Sequence, residues 1–163
     1  MTDIAGVGDT PSVDDALTTP ARQLLADLVA TPSVSGGEGD AAAVLAEFLR
    51  DHGRTVTTDA VGNVRAPAPD TAAAEDVLLT SHVDTVPGDI PVRGETSEGR
   101  DVLWGRGSVD AKGSLAAMAT AAVRTGASFV GVVGEEVDSR GSRHVVDTRE
   151  TVPDAVINGE PSG

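Results

Sequence analysis

Three short apolar runs, at residues 77–80, 129–133 and 155–157, are separated by stretches long enough to hold a helix. Runs of this length and branching read as buried strands, and their alternation with helical segments selects an α/β fold. Each run soon gives way to a His or a carboxylate: His82 after the first, Glu135 and Glu136 after the second, Glu160 after the third. Asp110 stands before the helix that precedes the second run. Successive positions step by 28, 25 and 25 residues, each close to one strand–helix–strand unit of about 30 residues. In an open α/β sheet the carboxyl ends of parallel strands share one edge, where ligands bind. These groups can therefore meet in space while remaining far apart in sequence.

The remaining elements fill in around that frame. Thr18-Thr19-Pro20 reads as a helix start, with Leu24, Leu25, Leu28 and Val29 at helical spacing and a stop at Thr31-Pro32. A second amphipathic helix is expected over 40–52 on Val44, Leu45, Phe48 and Leu49, ended by Gly53. Short strands at 55–58 and 63–66 flank a Gly62-Asn63 turn, and 92–95 with 102–104 form a hairpin. Residues 67–74 read as a surface loop, 111–123 as a helix buried on most faces, and 142–149 as a short helix. The expected architecture is a three-layer α/β sandwich with a largely parallel central sheet. It occupies residues 18–163, behind a flexible acidic arm over 1–17.

Composition removes several functions. There is no cysteine, so a metal must be held by His and carboxylates. Acidic residues outnumber basic ones 26 to 12, for a net charge of −14, and Lys112 is the single lysine. A surface of this sign repels nucleic acid. The acids are scattered along the chain, which suits a halophile's solvation strategy better than one acidic interaction block. Neither a secretory signal nor a run of about 20 apolar residues is present, so a soluble cytoplasmic protein with no membrane partner is expected.

Carboxylates crowded at one edge repel one another unless a cation neutralises them, and this is the physical case for a metal. His82 and Asp84 are two apart in extended chain and project to one face. Asp84 is thereby placed to accept the second ring proton of a metal-bound imidazole. Glu135 and Glu136 are adjacent and point apart, so Glu136 can ligate while Glu135 faces the water and handles protons. Taken singly, each feature has a plainer reading. His-x-Asp is common in turns, a Glu pair is usually solvated, and Asp110 can cap the helix near Lys112. Evenly stepped placement at strand ends is what surface chemistry does not explain. Gly105-Arg106-Gly107 lacks the Lys-Ser/Thr ending of a phosphate loop. His52 reads as a helix-end residue and His144 as helix surface.

At these positions the chain resembles the zinc aminoacylase, deacetylase and desuccinylase superfamily. Ser81-His82-Val83-Asp84-Thr85-Val86-Pro87 is similar to its first metal motif, and the segment Gly105-Arg106-Gly107-Ser108-Val109-Asp110-Ala111-Lys112-Gly113 to its second. Gly134-Glu135-Glu136 resembles the base-plus-ligand pair, Gly159-Glu160-Pro161-Ser162 the next ligand segment, and Thr31-Pro32-Ser33-Val34-Ser35 an early loop. The resemblance implies two zinc ions, with cobalt an alternative, held by His82, Asp110, Glu136 and Glu160. Asp110 would be the bridge, with a cis peptide to Ala111, and Asp84 and Glu135 would act in catalysis. Residues 86–93 and 109–113 look most like the LysW-lysine/LysW-ornithine hydrolases. That likeness implies release of lysine or ornithine from an amino-group carrier protein, in lysine and arginine biosynthesis. An acetylornithine deacetylase or a succinyl-diaminopimelate desuccinylase is the runner-up.

The family's last His ligand and its dimerisation domain find no counterpart in residues 1–163. The expectation is therefore the N-terminal part of a homodimeric enzyme, or in a different class a metal-binding module without catalysis. The acid surplus carries its own test. Self-repulsion at −14 should weaken the fold at low salt, since screening reaches about 10 Å at 0.1 M. Molar potassium chloride should raise the melting temperature; an unchanged value would remove the halophile reading.

Overall fold

The computed structural model describes residues 13–69 and 76–161. Along the chain run α1 (Val13–Ala30), α2 (Gly39–Asp51), β1 (Thr57–Thr58), β2 (Val64–Ala66), β3 (Val77–His82) and β4 (Arg93–Ser97). These are followed by β5 (Arg100–Trp104), α3 (Lys112–Thr125), β6 (Ser128–Val132), α4 (Arg140–Thr148) and β7 (Ala155–Asn158). All three apolar runs become strands. The first extends as far as His82 itself, which puts that imidazole on the last residue of β3.

One boundary differs from expectation. Helix α1 begins at Val13, not at Thr18, and carries Pro20 inside it. Proline's fixed φ suits a first turn, whereas inside a helix its ring removes one backbone donor and crowds the carbonyl four residues back; α1 carries Pro20 in its interior all the same. Residues 13–17 therefore belong to a helix, and the rest of the expected arm lies outside the described residues. So does most of the loop expected at 67–74.

The five-stranded sheet runs β1-β2-β6-β3-β7, and β4 pairs with β5 as a separate hairpin. Strands β6, β3 and β7 are parallel, while β2 joins β6 and β1 joins β2 antiparallel. His82 lies opposite Val132, and Thr80 opposite Asn158. Strands β3 and β6 thus finish level and β7 ends two residues short of them, at the edge where the sequence places its acids.

Helices α1, α2 and α3 cover one face and bury Leu28, Leu45, Leu49 and Leu115 with Phe129 of β6. Their approach is close: a Cβ on Gly131 would stand 2.7 Å from Leu45 Cδ2. The other face carries α4, whose Val145 and Val146 border a groove of about 440 Å³ with Leu78, Val130, Val132 and Val156. This is the expected layered α/β arrangement. Among the described residues no helix is long and apolar enough to cross a membrane.

A buried cation staples the layers behind the site. Arg54 is 7% exposed. Its guanidinium donates to the carbonyls of Ala122, Ala66, Pro67 and Ala127, which close α3, β2 and the lead-in to β6. Removing it strands several buried acceptors at once. Arg54→Met should lower stability by about 3 kcal/mol in urea titration. Arg54→Lys should recover only part, because an ammonium cannot reproduce the planar fork.

Candidate metal centre

The site is assembled where strands end. Beyond β6 the chain turns through Gly134, whose φ of +69° is a conformation glycine adopts without steric cost. That turn delivers Glu135 and Glu136. Beyond β7, Gly159 leads to Glu160. Asp110 enters from the loop before α3, and its peptide bond to Ala111 is cis, as the resemblance implied. Among the described residues, His82, Asp110 and Glu136 present ligand atoms that all lie within 4.8 Å of one another. Glu160 Oε2 is 3.7 Å from His82 Nε2. Glu135 borders an adjoining cavity of about 320 Å³ with His82, Ser139, Asn158 and Glu160.

His82 is 1% exposed and has both ring nitrogens engaged. Nδ1 lies 2.9 Å from the backbone carbonyl of Asp84, and Nε2 lies 3.0 Å from Asp110 Oδ1. A carbonyl only accepts, so Nδ1 carries the proton. The neutral ring then turns the Nε2 lone pair toward two carboxylates. A proton shared between Nε2 and a facing carboxylate, or a metal cation, resolves that meeting of acceptors. With a proton there, burial opposes the charge, but the hydrogen bonds to Asp84 and Asp110 and the charge of Glu160 raise the pKa to about 9.

Asp84 meets His82 chiefly through its backbone carbonyl and not, as expected, through its carboxylate. Its carboxylate Oδ1 is 3.6 Å from His82 Nδ1, farther than its own carbonyl. The strand has ended at His82, so simple alternation no longer aims the side chain. It turns inward, fully buried. There Oδ1 accepts from the Glu135 amide at 3.0 Å, and Oδ2 from the Glu136 amide at 3.1 Å and the Ser35 hydroxyl at 2.6 Å. Burial would raise its pKa, but the His82 contact and these three donors hold it far below the usual carboxylate range.

The acids around the imidazole are under the opposite pressure. Glu136 is pushed up by burial and then by Asp110, and Glu160 by burial and then by Asp110, Glu135 and Glu136, despite relief from His82. One imidazole and three carboxylates that repel one another are a donor set suited to zinc, cobalt or manganese. The residues present fit a divalent metal.

The structure therefore brings together His82, Asp84, Asp110, Glu135, Glu136 and Glu160. His144 lies apart, 3.8 Å from Asp59, and His52 bonds to the Phe48 carbonyl at the end of α2. Two supporting residues carry no such signal in the sequence. Ser35 and Lys112 stand out there only within resembling segments, Lys112 also as the sole lysine. Lys112 is 1% exposed, and its ammonium donates to the carbonyls of Leu28 at 2.8 Å and Thr31 at 2.7 Å. Burial lowers its pKa to about 8.

A profile of peptidase family M20/M25/M40 matches residues 78–163, the segment holding all six site residues. A protein of Pyrococcus abyssi, provisionally named a LysW-lysine/LysW-ornithine hydrolase, is 45% identical over 143 residues, covering 86% of this chain and 40% of the relative. A LysW-lysine hydrolase of Deinococcus radiodurans is 42% identical over 155 residues, covering 88% of this chain and 40% of the relative. The crystal structure of a tripeptidase from Staphylococcus aureus shares the fold with a TM-score of 0.73 at 22% identity, over 89% of this chain and 44% of that one. The chain spans about 40% of the length of these curated relatives. A match over more than half of its residues, on the segment that builds the site, means that the chain belongs to peptidase family M20/M25/M40.

Proposed function

We propose that the complete protein is a metal-dependent amide hydrolase that releases lysine or ornithine from the glutamate of an amino-group carrier protein. The observation that carries the chemistry is the gathering of His82, Asp110 and Glu136 ligand atoms within 4.8 Å, with Glu135 bordering the adjoining cavity. The carrier-linked substrate draws its support from the names of relatives at 45% and 42% identity.

His82, Asp110, Glu136 and Glu160 would hold the metal, zinc first and cobalt second. A bound divalent ion supplies Lewis-acid polarisation of the amide and an acidified water. The protein's part is proton handling and orientation. Glu135 accepts the proton of the attacking water and then delivers it to the departing amine. The Glu135 and Glu136 amides share the Asp84 carboxylate, so one anchor sets base and ligand together. His82 donates Nδ1–H to the Asp84 carbonyl, which keeps Nε2 directed at the ligand cluster.

Assay of the complete protein against carrier-linked lysine, carrier-linked ornithine, acetylornithine and succinyl-diaminopimelate tests the substrate. Turnover of a free acylated amino acid in preference to the carrier forms would replace this reading with that of a deacylase. Glu135→Gln should lower kcat by about 100-fold or more, with metal content near wild type. Loss of metal along with activity would exchange the roles of Glu135 and Glu136. Zinc at about 100 times its Kd should stabilise the fold by about 2.7 kcal/mol through mass action. His82→Ala should abolish that gain in thermal melts, and retention of it would move the metal elsewhere.

A further inference from the structure

We propose that Ser35 is a positioning residue for the metal centre, acting through Asp84 on the turn that carries Glu135 and Glu136; the proposal rests on the metal-centre reading above. Ser35 lies 49 residues from Asp84 in sequence, between α1 and α2, and its hydroxyl donates to Asp84 Oδ2 at 2.6 Å. Such short charge-assisted bonds are among the stronger ones a hydroxyl makes. Asp84 is fully buried, and its two oxygens divide three donors between them. The two amides alone hold each oxygen by one bond along the turn. The Ser35 hydroxyl adds a donor from a different element, which stops the carboxylate plane from swinging with the turn it is meant to hold.

The loop that presents Ser35 is fixed by contacts that do not involve its hydroxyl. Thr85 N donates to the Ser33 carbonyl at 2.9 Å, and Ser35 N to the Thr85 carbonyl at 3.3 Å. Ser33 Oγ donates to the Val83 carbonyl at 2.9 Å, and Lys112 Nζ to the Thr31 carbonyl at 2.7 Å. Lys112 is itself two residues from Asp110, so one loop spans the Asp110 side and the Glu135–Glu136 side of the centre. Deleting the Ser35 hydroxyl leaves this frame in place and releases Asp84 alone. Ser35 is only half-buried, so a threonine methyl has room and the hydroxyl can be restored.

The test compares Ser35→Ala, Ser35→Thr and Ser33→Ala in the complete protein. Zinc affinity is measured by chelator competition, the visible spectrum with cobalt bound, and melting of the metal-free protein. Outer partners of metal ligands typically contribute 10- to 100-fold in affinity. Ser35→Ala is expected to weaken zinc binding about 10-fold or more and to alter the cobalt spectrum. Ser35→Thr should restore both. Ser33→Ala, which loses a bond of the same loop without touching Asp84, should leave affinity and spectrum near wild type. The metal-free melting temperatures of the two alanine variants should be similar. Equal loss of affinity in both alanine variants would reduce Ser35 to loop stability, and an unchanged affinity in Ser35→Ala would overturn the proposal outright. Failure of the wild-type protein to bind zinc or cobalt would instead overturn the metal-centre reading on which it rests.

Discussion

The buried carboxylate of Asp84 is the contact on which the site depends. A carboxylate removed from water is costly unless its lone pairs are matched. Here they are matched by the Glu135 and Glu136 amides and the Ser35 hydroxyl, with His82 Nδ1 nearby. Among the described residues, no lysine or arginine pairs with it. Because those donors come from β3, from the turn after β6 and from the loop after α1, satisfying one charge locks three separate segments. The parallel register brings the strand ends to one edge, but it does not orient the side chains beyond them. Asp84 does that.

The same charge sets the electrostatics of the neighbouring acids. Asp84 stays ionised and helps to hold a proton on His82, whose pKa rises to about 9. The pKa values of Glu136 and Glu160 are pushed up as well, by burial and then by Asp110 and the other acids beside them. A protonated His82 facing Asp110 satisfies its own bond but leaves the carboxylates crowded. A dication relieves both, replacing the proton on Nε2 and neutralising several acids at once. The arrangement departs from what folding alone would favour, as functional sites often do.

Much of the fold was readable because it is written locally. Apolar runs of strand length mark β3, β6 and β7, and a His or carboxylate just beyond each marks the site edge. The even spacing made convergence plausible before any coordinate. Strand order was not readable, since placing β3 between β6 and β7 depends on pairings spread over half the chain. The start of α1 was misplaced because proline is favoured in a first turn and disfavoured in a helix interior, yet α1 carries Pro20 inside it. The supporting residues were invisible for a different reason. Ser35 reaches Asp84 across 49 residues, Arg54 reaches Ala122 across 68, and Lys112 reaches Leu28 across 84. No local pattern encodes a serine or a lysine whose only task is to meet a group brought close by folding.

The two buried cations show how an acidic chain spends the few positive charges it has. Helix α1 has no basic residue in its own last turn, so its terminal carbonyls lack a local cation. Lys112 supplies one from the start of α3, donating to Leu28 and Thr31. Arg54 does the same for α3, donating to Ala122 near its end. Each helix thus turns its negative pole toward a buried positive charge held by another element, the arrangement the macrodipole favours. The choice of residue follows geometry. Two carbonyls converging on one point suit a compact ammonium, whereas the carbonyls of Ala66, Pro67, Ala122 and Ala127 come from separate segments and suit a planar fork with five donors. The single lysine of the chain therefore sits in the interior, two residues from Asp110. A surface carrying mostly acids and arginines leaves that ammonium without an equivalent elsewhere in the sequence. Lys112 in this way ties the end of α1 to the start of α3 beside Asp110, while Arg54 holds the opposite end of α3 against the lead-in to β6.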